Sequence, residues 1–180
     1  MAERPARRLH CGCGDVVAPG WINCDVTARR GVDVVADIRA GLPLRDDSLD
    51  CIVAHHVLQD LGIYEQVPAL GHLRRALRPG GVLRLSLPDV DRAIAAYLEG
   101  RADHFHVHEW DTLAGNFITH VLWYGCSRTL FSWPFAEELL RKAGFAEVRR
   151  VGYRQTPTGD PEIVALDSRE AESFYVEAVK

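Results

Sequence analysis

Five short apolar segments, each bounded by Gly, Pro or Asp, constrain the fold of this chain more than any other feature. They are residues 7–12, 21–26, 32–38, 49–56 and 81–88. Apolar runs of this length between turn-forming residues indicate strands. Strands that are apolar on both faces are typical of a parallel sheet covered on each side.

A helical pattern fills the gap between the fourth and fifth segments. Apolar residues recur there at intervals of three and four, at Val67, Leu70, Leu73 and Leu77. Because this is the spacing of one helix face, we expect a crossover helix, ended by the Pro-Gly-Gly sequence at 79–81.

The helical pattern resumes after Asp89, which is expected to cap a helix with Ile94, Tyr97 and Leu98 on its inner side. Residues 134–144 predict another helix, with Pro at its start and Gly at its end. Two later segments read as strands, residues 146–153 and 173–180. Strands and helices in this order predict a doubly wound, mostly parallel α/β sheet.

Composition indicates one ordinary domain spanning residues 1–180. The chain has 21 Lys and Arg against 25 Asp and Glu, a formal charge of −4, and is 47% hydrophobic. These values exclude a disordered chain and make nonspecific nucleic-acid binding unlikely. No apolar run predicts a membrane span or a signal peptide, so we expect a cytoplasmic protein. The oligomeric state stays open.

The first predicted strand runs directly into a turn with glycines at 12 and 14, flanked by Cys11 and Cys13. Two such glycines allow a sharp turn and let backbone N–H groups approach a ligand. A dinucleotide fingerprint would need a third glycine at position 17, which is Val17, and a helix after it. A nicotinamide dehydrogenase is therefore disfavoured.

Two aspartates end the next two predicted strands. Asp25 closes the second segment and Asp37 closes the third. Parallel sheets bind ligands outside the carboxyl ends of their strands, where one carboxylate can accept from ribose hydroxyls and another from an adenine amino group. Alternatively, each aspartate caps a turn, which is the more common role of a single one.

The ordered set of motifs resembles the class I S-adenosylmethionine-dependent methyltransferases, in particular a compact bacterial subgroup with a shortened first helix. The motifs are LHCGCGD, PGWINCD, VDVVADI, LPLRDDSLDCIVAHHVLQDL, LRRALRPGGVLRLSLPD and RTLFSWPFAEELLRKAGF. The similarity covers most of residues 8–150. Two positions depart from the family pattern, His10 before the first glycine and Gln59-Asp60 where the family usually has Glu-His.

The resemblance implies S-adenosylmethionine as the cofactor. Gly12 and Gly14 would lie against its methionine part, Asp25 would hold the ribose, and Asp37 with Ile38 the adenine. The segment 54–58 would close over the sulfonium. The implied cofactor-binding residues are Cys11, Gly12, Cys13, Gly14, Asp25, Val26, Asp37, Ile38 and His55.

His55 and His56 are the candidate catalytic bases, since imidazole titrates near neutral pH and the fourth strand should end at the reaction centre. Either one alternatively serves packing. The acceptor-binding candidates are His56, Trp123, Tyr124 and Arg128. The latter three belong to residues 101–131, which we expect to be an irregular lid or acceptor-site insertion. The two aromatic residues alternatively anchor a loop, and the arginine alternatively lies in solvent.

The sequence also holds three alternate histidines, His104, His106 and His108. No fourth ligand is evident and methyl transfer needs no metal, so no metal site is predicted. The leading hypothesis is methyl transfer to a small-molecule or glycan-like acceptor. A noncatalytic S-adenosylmethionine-binding regulator or scaffold protein is the alternative.

Overall fold

A computed structural model describes residues 6–180 and contains one seven-stranded sheet. The strands are β1 (Arg8–Cys11), β2 (Ile22–Asp25), β3 (Val34–Val35), β4 (Leu49–His55), β5 (Leu77–Pro88), β6 (Glu147–Val151) and β7 (Ser173–Val179). Their order is β3-β2-β1-β4-β5-β7-β6, with all neighbours parallel except β7, which is antiparallel to β5 and β6. The predicted doubly wound, mostly parallel α/β fold is confirmed.

The strand order reverses between β1 and β4. From β1 the chain proceeds outward to β2 and β3, then returns to the other side of β1 as β4. The connections from these two neighbouring strands therefore leave in opposite directions and open a crevice at the carboxyl edge. The fold thus places its ligand site beside the ends of β1, β2 and β4.

The helices are α1 (Gln66–Ala76), α2 (Val90–Leu98), α3 (Leu113–Leu122), α4 (Trp133–Lys142) and the single turn α5 (Pro161–Val164). Of these, α1 and α4 pack on one face of the sheet, and α2 and α3 pack on each other. Leu70 and Leu73 of α1 and Leu140 of α4 enter the largest hydrophobic cluster. Fully burying each such side chain stabilises the folded state by about 1.5–3 kcal/mol. The apolar faces of α1 and α4 therefore determine how these helices pack on the sheet. Residues 12–21 contain no helix, which agrees with the shortened first helix of the subgroup that the sequence resembles.

Residues 152–172 help to cover the opposite face. Ile163 packs with Trp21 and Val53. On the same side Arg84 is fully buried and forms ion pairs with Asp167 and, at 2.6 Å, with Glu177. Residues 152–172, which we call the C-terminal segment, are therefore fixed to the central strands by both apolar and charged contacts.

Three expectations differ from the structure. Ile94, Tyr97 and Leu98 are 43%, 37% and 77% exposed, whereas Ala93 and Ala96 form the inner side of α2. Small residues lie inside because α2 packs closely on Phe105 and α3. The Pro-Gly-Gly sequence does not end α1 but lies in β5, which begins at Leu77 and pairs irregularly with β4.

The third difference concerns residues 101–131, which include the regular helix α3. Thr112 caps it by accepting a hydrogen bond from the Gly115 backbone N–H at 3.1 Å. Phe117 of α3 packs against the buried Phe105. The segment is thus a packed helical unit. Within residues 6–180, no helix combines the length and apolar character needed to cross a bilayer.

Candidate functional site

A cavity of about 330 Å³ lies at the carboxyl ends of β1, β2 and β3, and we call it the strand-end cavity. Its walls include Cys11, Gly12, Asp25, Val26, Asp37, Ile38 and Val57. Volumes from about 300 to 1,000 Å³ are usual for small-molecule sites. Asp25 and Asp37 thus open onto one cavity beside the glycine turn, the arrangement on which the sequence argument depends.

The glycine turn is possible only without a side chain. Gly12 has a φ of +66°, and a Cβ at this residue would lie 2.3 Å from Cγ2 of Val57. Gly14 also has a positive φ, +53°. The left-handed conformation and the close approach to Val57 explain why the first strand must be followed by glycine.

Asp25 is held in place by the turn it faces. Its carboxylate accepts hydrogen bonds from the backbone N–H groups of Gly14 and Thr27, both at 2.9 Å. A carboxylate has about four lone-pair sites, so each oxygen can still accept from a ligand. The side chain is 9% exposed. These bonds fix the carboxylate orientation before a ligand binds.

Asp37 has a different environment. Arg39 binds its carboxylate at 2.6–3.0 Å, and this guanidinium holds the pKa of Asp37 below its usual value. The neighbouring Ile38 is 5% exposed and gives the cavity an apolar surface. Asp37 is therefore an anionic acceptor next to an apolar wall.

A second cavity, of about 290 Å³, lies between the carboxyl ends of β4 and β5 and the helices α2 and α3. We call it the helical cavity. Its walls include Gln59, Asp89, His120, Trp123, Phe131 and Glu172. The segment 101–131 supplies several of these residues, so α3 forms part of the cavity wall.

His56 and Asp60 line both cavities. Burial lowers the pKa of His56 to about 4, so the imidazole is neutral at pH 7. Its Nε2 is hydrogen-bonded to Ser173 Oγ at 2.8 Å. Asp60 is partly exposed to solvent, and the partial desolvation at the cavity wall raises its pKa above the usual value. The boundary between the two cavities therefore contains a neutral imidazole and a carboxylate that holds a proton more strongly than in water.

Several solved structures similar to this chain are described as S-adenosylmethionine-dependent methyltransferases. One from Thermotoga maritima, described as a possible histamine N-methyltransferase, has a TM-score of 0.60 and 22% identity over 99% of this chain and 83% of its own. One from Archaeoglobus fulgidus has a TM-score of 0.58 and 13% identity over 98% and 87%. One from Mesorhizobium loti has 0.56 and 18% over 97% and 90%. These identities show a common fold.

Residues 18–85 match the family model of the methyltransferase domain. This match covers less than half of the chain. Together with the shared fold, it supports the resemblance to the S-adenosylmethionine-dependent methyltransferases found in the sequence. No curated protein sequence matches the chain.

The strand-end cavity fits S-adenosylmethionine chemically. Gly12 leaves open the space that a Cβ would fill, and the carboxylates of Asp25 and Asp37 offer two separate sets of acceptors. Ile38 and Leu61 supply an apolar surface on which an adenine ring can lie. The lining therefore matches the hydroxyl, amino and aromatic groups of an adenosine.

The structure brings only some of the sequence candidates to these cavities. Cys11, Gly12, Asp25, Val26, Asp37, Ile38 and His56 line the strand-end cavity. His56 and Trp123 line the helical cavity. Gly14 contributes through its hydrogen bond to Asp25, and Cys13 is buried outside the cavity walls.

His55 lies in neither cavity wall. Because side chains alternate along β4, its ring projects to the opposite side from the core-facing Ala54, and its Nε2 lies 3.6 Å from the buried Asp167. Burial lowers the pKa of His55 to about 4. In the structure His55 is therefore part of the buried charged cluster around Arg84, and its role at the site stays a prediction.

Tyr124 and Arg128 also lie outside both walls. The Tyr124 hydroxyl donates to Glu109 at 2.8 Å, and Arg128 pairs with Glu65 at 3.2 Å. Both side chains are satisfied at the surface. They do not line the cavity for which the sequence suggested them.

Three residues of the helical cavity are not among the site candidates from the sequence, namely Gln59, Asp60 and His120. The first two stand out in the sequence only as a departure from the family pattern, and His120 lies within residues 101–131, for which an irregular segment is expected. The cap at Thr112 and the apolar spacing of Leu113, Phe117 and Val121 would have indicated a helix. Within residues 6–180, no three His, Cys, Asp or Glu side chains converge as metal ligands.

Proposed function

We propose that this methyltransferase binds S-adenosylmethionine in the strand-end cavity and methylates a small-molecule or glycan-like acceptor in the helical cavity. The observation that supports this most strongly is the wall of His56 and Asp60 that the two cavities share. A noncatalytic binding protein would need only the first cavity. The second one favours the enzyme over the regulator or scaffold alternative.

In this proposal the turn at Gly12 and Gly14 holds the methionine part of the cofactor. Asp25 accepts hydrogen bonds from the ribose, and Asp37 with Ile38 holds the adenine. Bound S-adenosylmethionine would supply the methyl group together with its own leaving group, a sulfonium. The residues of the chain therefore need mainly to position an acceptor and exclude water.

The helical cavity supports both of these tasks. Trp123 and Phe131 give it apolar surface, and Phe131 is fully buried. His56 is neutral at pH 7 and is held by Ser173, so it can orient an acceptor or take a proton from one. We propose that residues 101–131 act as the acceptor-site wall in this way.

Titration calorimetry with S-adenosylhomocysteine, the demethylated product, tests the cofactor site. Asp25→Ala removes charge-assisted hydrogen bonds worth about 1.5–3 kcal/mol, so affinity should fall roughly tenfold to more than a hundredfold. Asp46→Ala is the control, because Asp46 pairs with Arg75 on the surface away from both cavities. If both variants bound S-adenosylhomocysteine with equal affinity, Asp25 would only cap a turn and would not bind the cofactor.

Activity is tested separately by a screen for transfer of a labelled methyl group to pooled metabolites and oligosaccharides. The proposal predicts transfer to at least one small acceptor by the wild type and strongly reduced transfer by Asp25→Ala. Tight binding of the cofactor without transfer across a broad screen would favour the regulator instead.

A further inference from the structure

The wall of the helical cavity contains a buried hydrogen-bond acceptor that the protein does not satisfy. Gln59 is 8% exposed, and its side-chain Nε2 donates to the His56 carbonyl oxygen at 2.5 Å. This bond fixes the orientation of the side-chain amide, whose other polar atom is Oε1. Oε1 is buried and accepts no hydrogen bond from any of residues 6–180.

An acceptor left in this state carries a desolvation penalty, which a ligand with an N–H or O–H group would offset. The position of Gln59 makes such a ligand relevant to the reaction. It lines the helical cavity and precedes Asp60, which together with His56 lines both cavities. Gln59 is therefore next in the chain to the boundary between the proposed cofactor and acceptor sites.

Asp60 adds a second acceptor at this boundary. Among the described residues, no cation pairs with its carboxylate and no hydrogen bond reaches it. Three other charged residues line the helical cavity, Asp89, Glu172 and Arg169. Arg169 pairs with Glu172 at 3.0 Å, and Arg150 contacts Asp89 at 3.2 Å.

The histidines do not neutralise Asp60 either. Burial lowers the pKa of His56 to about 4, so this imidazole is neutral at pH 7, and burial also lowers the pKa of His120. The Asp60 carboxylate is thus the one charge in the lining of the helical cavity that the described part of the chain leaves without a counter-ion. A cation with N–H donors is the complementary ligand.

We propose that the helical cavity selects a small amine, with its nitrogen bound by Gln59 Oε1 and the Asp60 carboxylate and its apolar part against Trp123 and Phe131. This inference rests on the proposed function, since it names the acceptor class of the same site. An ammonium group has several donors and can satisfy both oxygens. A hydroxyl has one donor and no charge, and a carboxylate acceptor would be repelled by Asp60.

The transfer balances with one proton released. The bound ammonium gives a proton to Asp60 and thereby frees the nitrogen lone pair. This pair forms the new N–C bond while the S–C bond breaks, its electrons remaining on sulfur. The methylated amine leaves as an ammonium ion, and Asp60 returns its proton to solvent. Its raised pKa makes Asp60 a better proton acceptor than an ordinary aspartate.

The experiment measures binding to the protein saturated with S-adenosylhomocysteine. The probes are phenethylamine, cyclohexylmethylamine and butylamine, each with its matched alcohol and carboxylate. At least one amine should bind at least tenfold more tightly than its alcohol, with no carboxylate binding. Asp60→Asn should remove this preference without weakening the alcohol. Glu138→Gln is the control, because Glu138 loses the same charge in a surface pair with Lys142.

Gln59→Leu tests the second group and should weaken the amine more than the alcohol. Labelled methyl transfer to the best-binding amine should yield the N-methyl product. Preference for an alcohol or carboxylate, no amine binding, or an unchanged preference in Asp60→Asn would overturn the inference. Failure of S-adenosylhomocysteine to bind would instead contradict the proposed function, so the two failures are distinguishable.

Discussion

Gly12 shows at the scale of one residue how backbone geometry forms the site. Its φ of +66° and the 2.3 Å approach of a Cβ to Val57 combine strain with a clash. Gly20 has a φ of +78° with nothing within 4 Å of its Cβ position. Gly20→Ala should therefore cost about 1–3 kcal/mol in the free energy of unfolding from strain alone. Gly12→Ala should cost more and weaken S-adenosylhomocysteine binding.

Urea denaturation and titration calorimetry measure the two effects. The double variant Gly12→Ala/Val57→Ala removes the clash and should recover part of the binding lost in Gly12→Ala. Equal stability losses in the two glycine variants, with cofactor affinity unchanged, would show that the turn tolerates a side chain.

His55 provides a prediction on pH dependence. It is surrounded by His10, Arg84, Asp167 and Tyr175, and burial lowers its pKa to about 4. The unfolded chain, where histidine titrates near 6.5, then binds more protons than the native state between these values. Stability should fall as the pH decreases from 6.5 to 4, with His55 contributing up to about 1.4 kcal/mol per pH unit.

His55→Gln should reduce this slope, because it removes one of the titrating groups. The free energy of unfolding is measured by urea denaturation at several pH values from 4 to 8. Above pH 7 the histidine is neutral in both states, so the slopes of variant and wild type should coincide there. An unchanged slope at low pH would mean that His55 is not protonated on unfolding.

At the scale of elements, the sequence predicted the strands well but the surroundings of α2 poorly. Buried parallel strands produce apolar runs that stand out without knowledge of their neighbours. The inner face of α2 could not be found in this way, since the helix contacts α3 through Ala93 and Ala96. Tyr97 instead stacks on Phe117 at 4.9 Å, a contact that needs α3 to be recognised first.

Phe105 should be the main side chain that holds α3 against α2. It is fully buried between them, whereas Ile118 on α3 is 53% exposed. Phe105→Ala should lower the free energy of unfolding by about 3–5 kcal/mol, and Ile118→Ala should change it by less than about 0.5 kcal/mol. Denaturation and amide hydrogen exchange in α3 measure both. Equal, small effects would indicate that α3 is loosely attached.

At the scale of the whole molecule, a buried charged cluster joins the sheet to the C-terminal segment. Arg84 of β5 pairs with Asp167 and with Glu177 of β7, and all three side chains are at most 2% exposed. Arg84→Met would leave two carboxylates buried without a counter-ion, which should cost about 3–5 kcal/mol in the free energy of unfolding. Denaturation of this variant tests the cluster.

Arg141→Met is the matched control. Arg141 pairs with Glu137 on the surface of α4 at 2.7 Å and is 54% exposed, so its loss should cost less than about 0.5 kcal/mol. If both arginine variants were equally stable, the buried cluster would have no special role in holding the segment.

The location of the site could be predicted from the sequence because parallel topology brings strand ends together. Asp25 and Asp37 were placed correctly at one cavity by this rule. Gln59 and Asp60 could not be assigned in the same way, since the second cavity depends on how α2 and α3 fold over the sheet edge. Tertiary packing between helices, which leaves only a weak sequence signal, determines the acceptor side.

A crystal structure of the chain with S-adenosylhomocysteine would show whether the strand-end cavity is the cofactor site. We expect the ribose hydroxyls within hydrogen-bond distance of the Asp25 carboxylate, the adenine against Ile38 near Asp37, and the sulfur directed towards the wall of His56 and Asp60. A nucleoside bound elsewhere, or the ribose turned away from Asp25, would contradict this expectation.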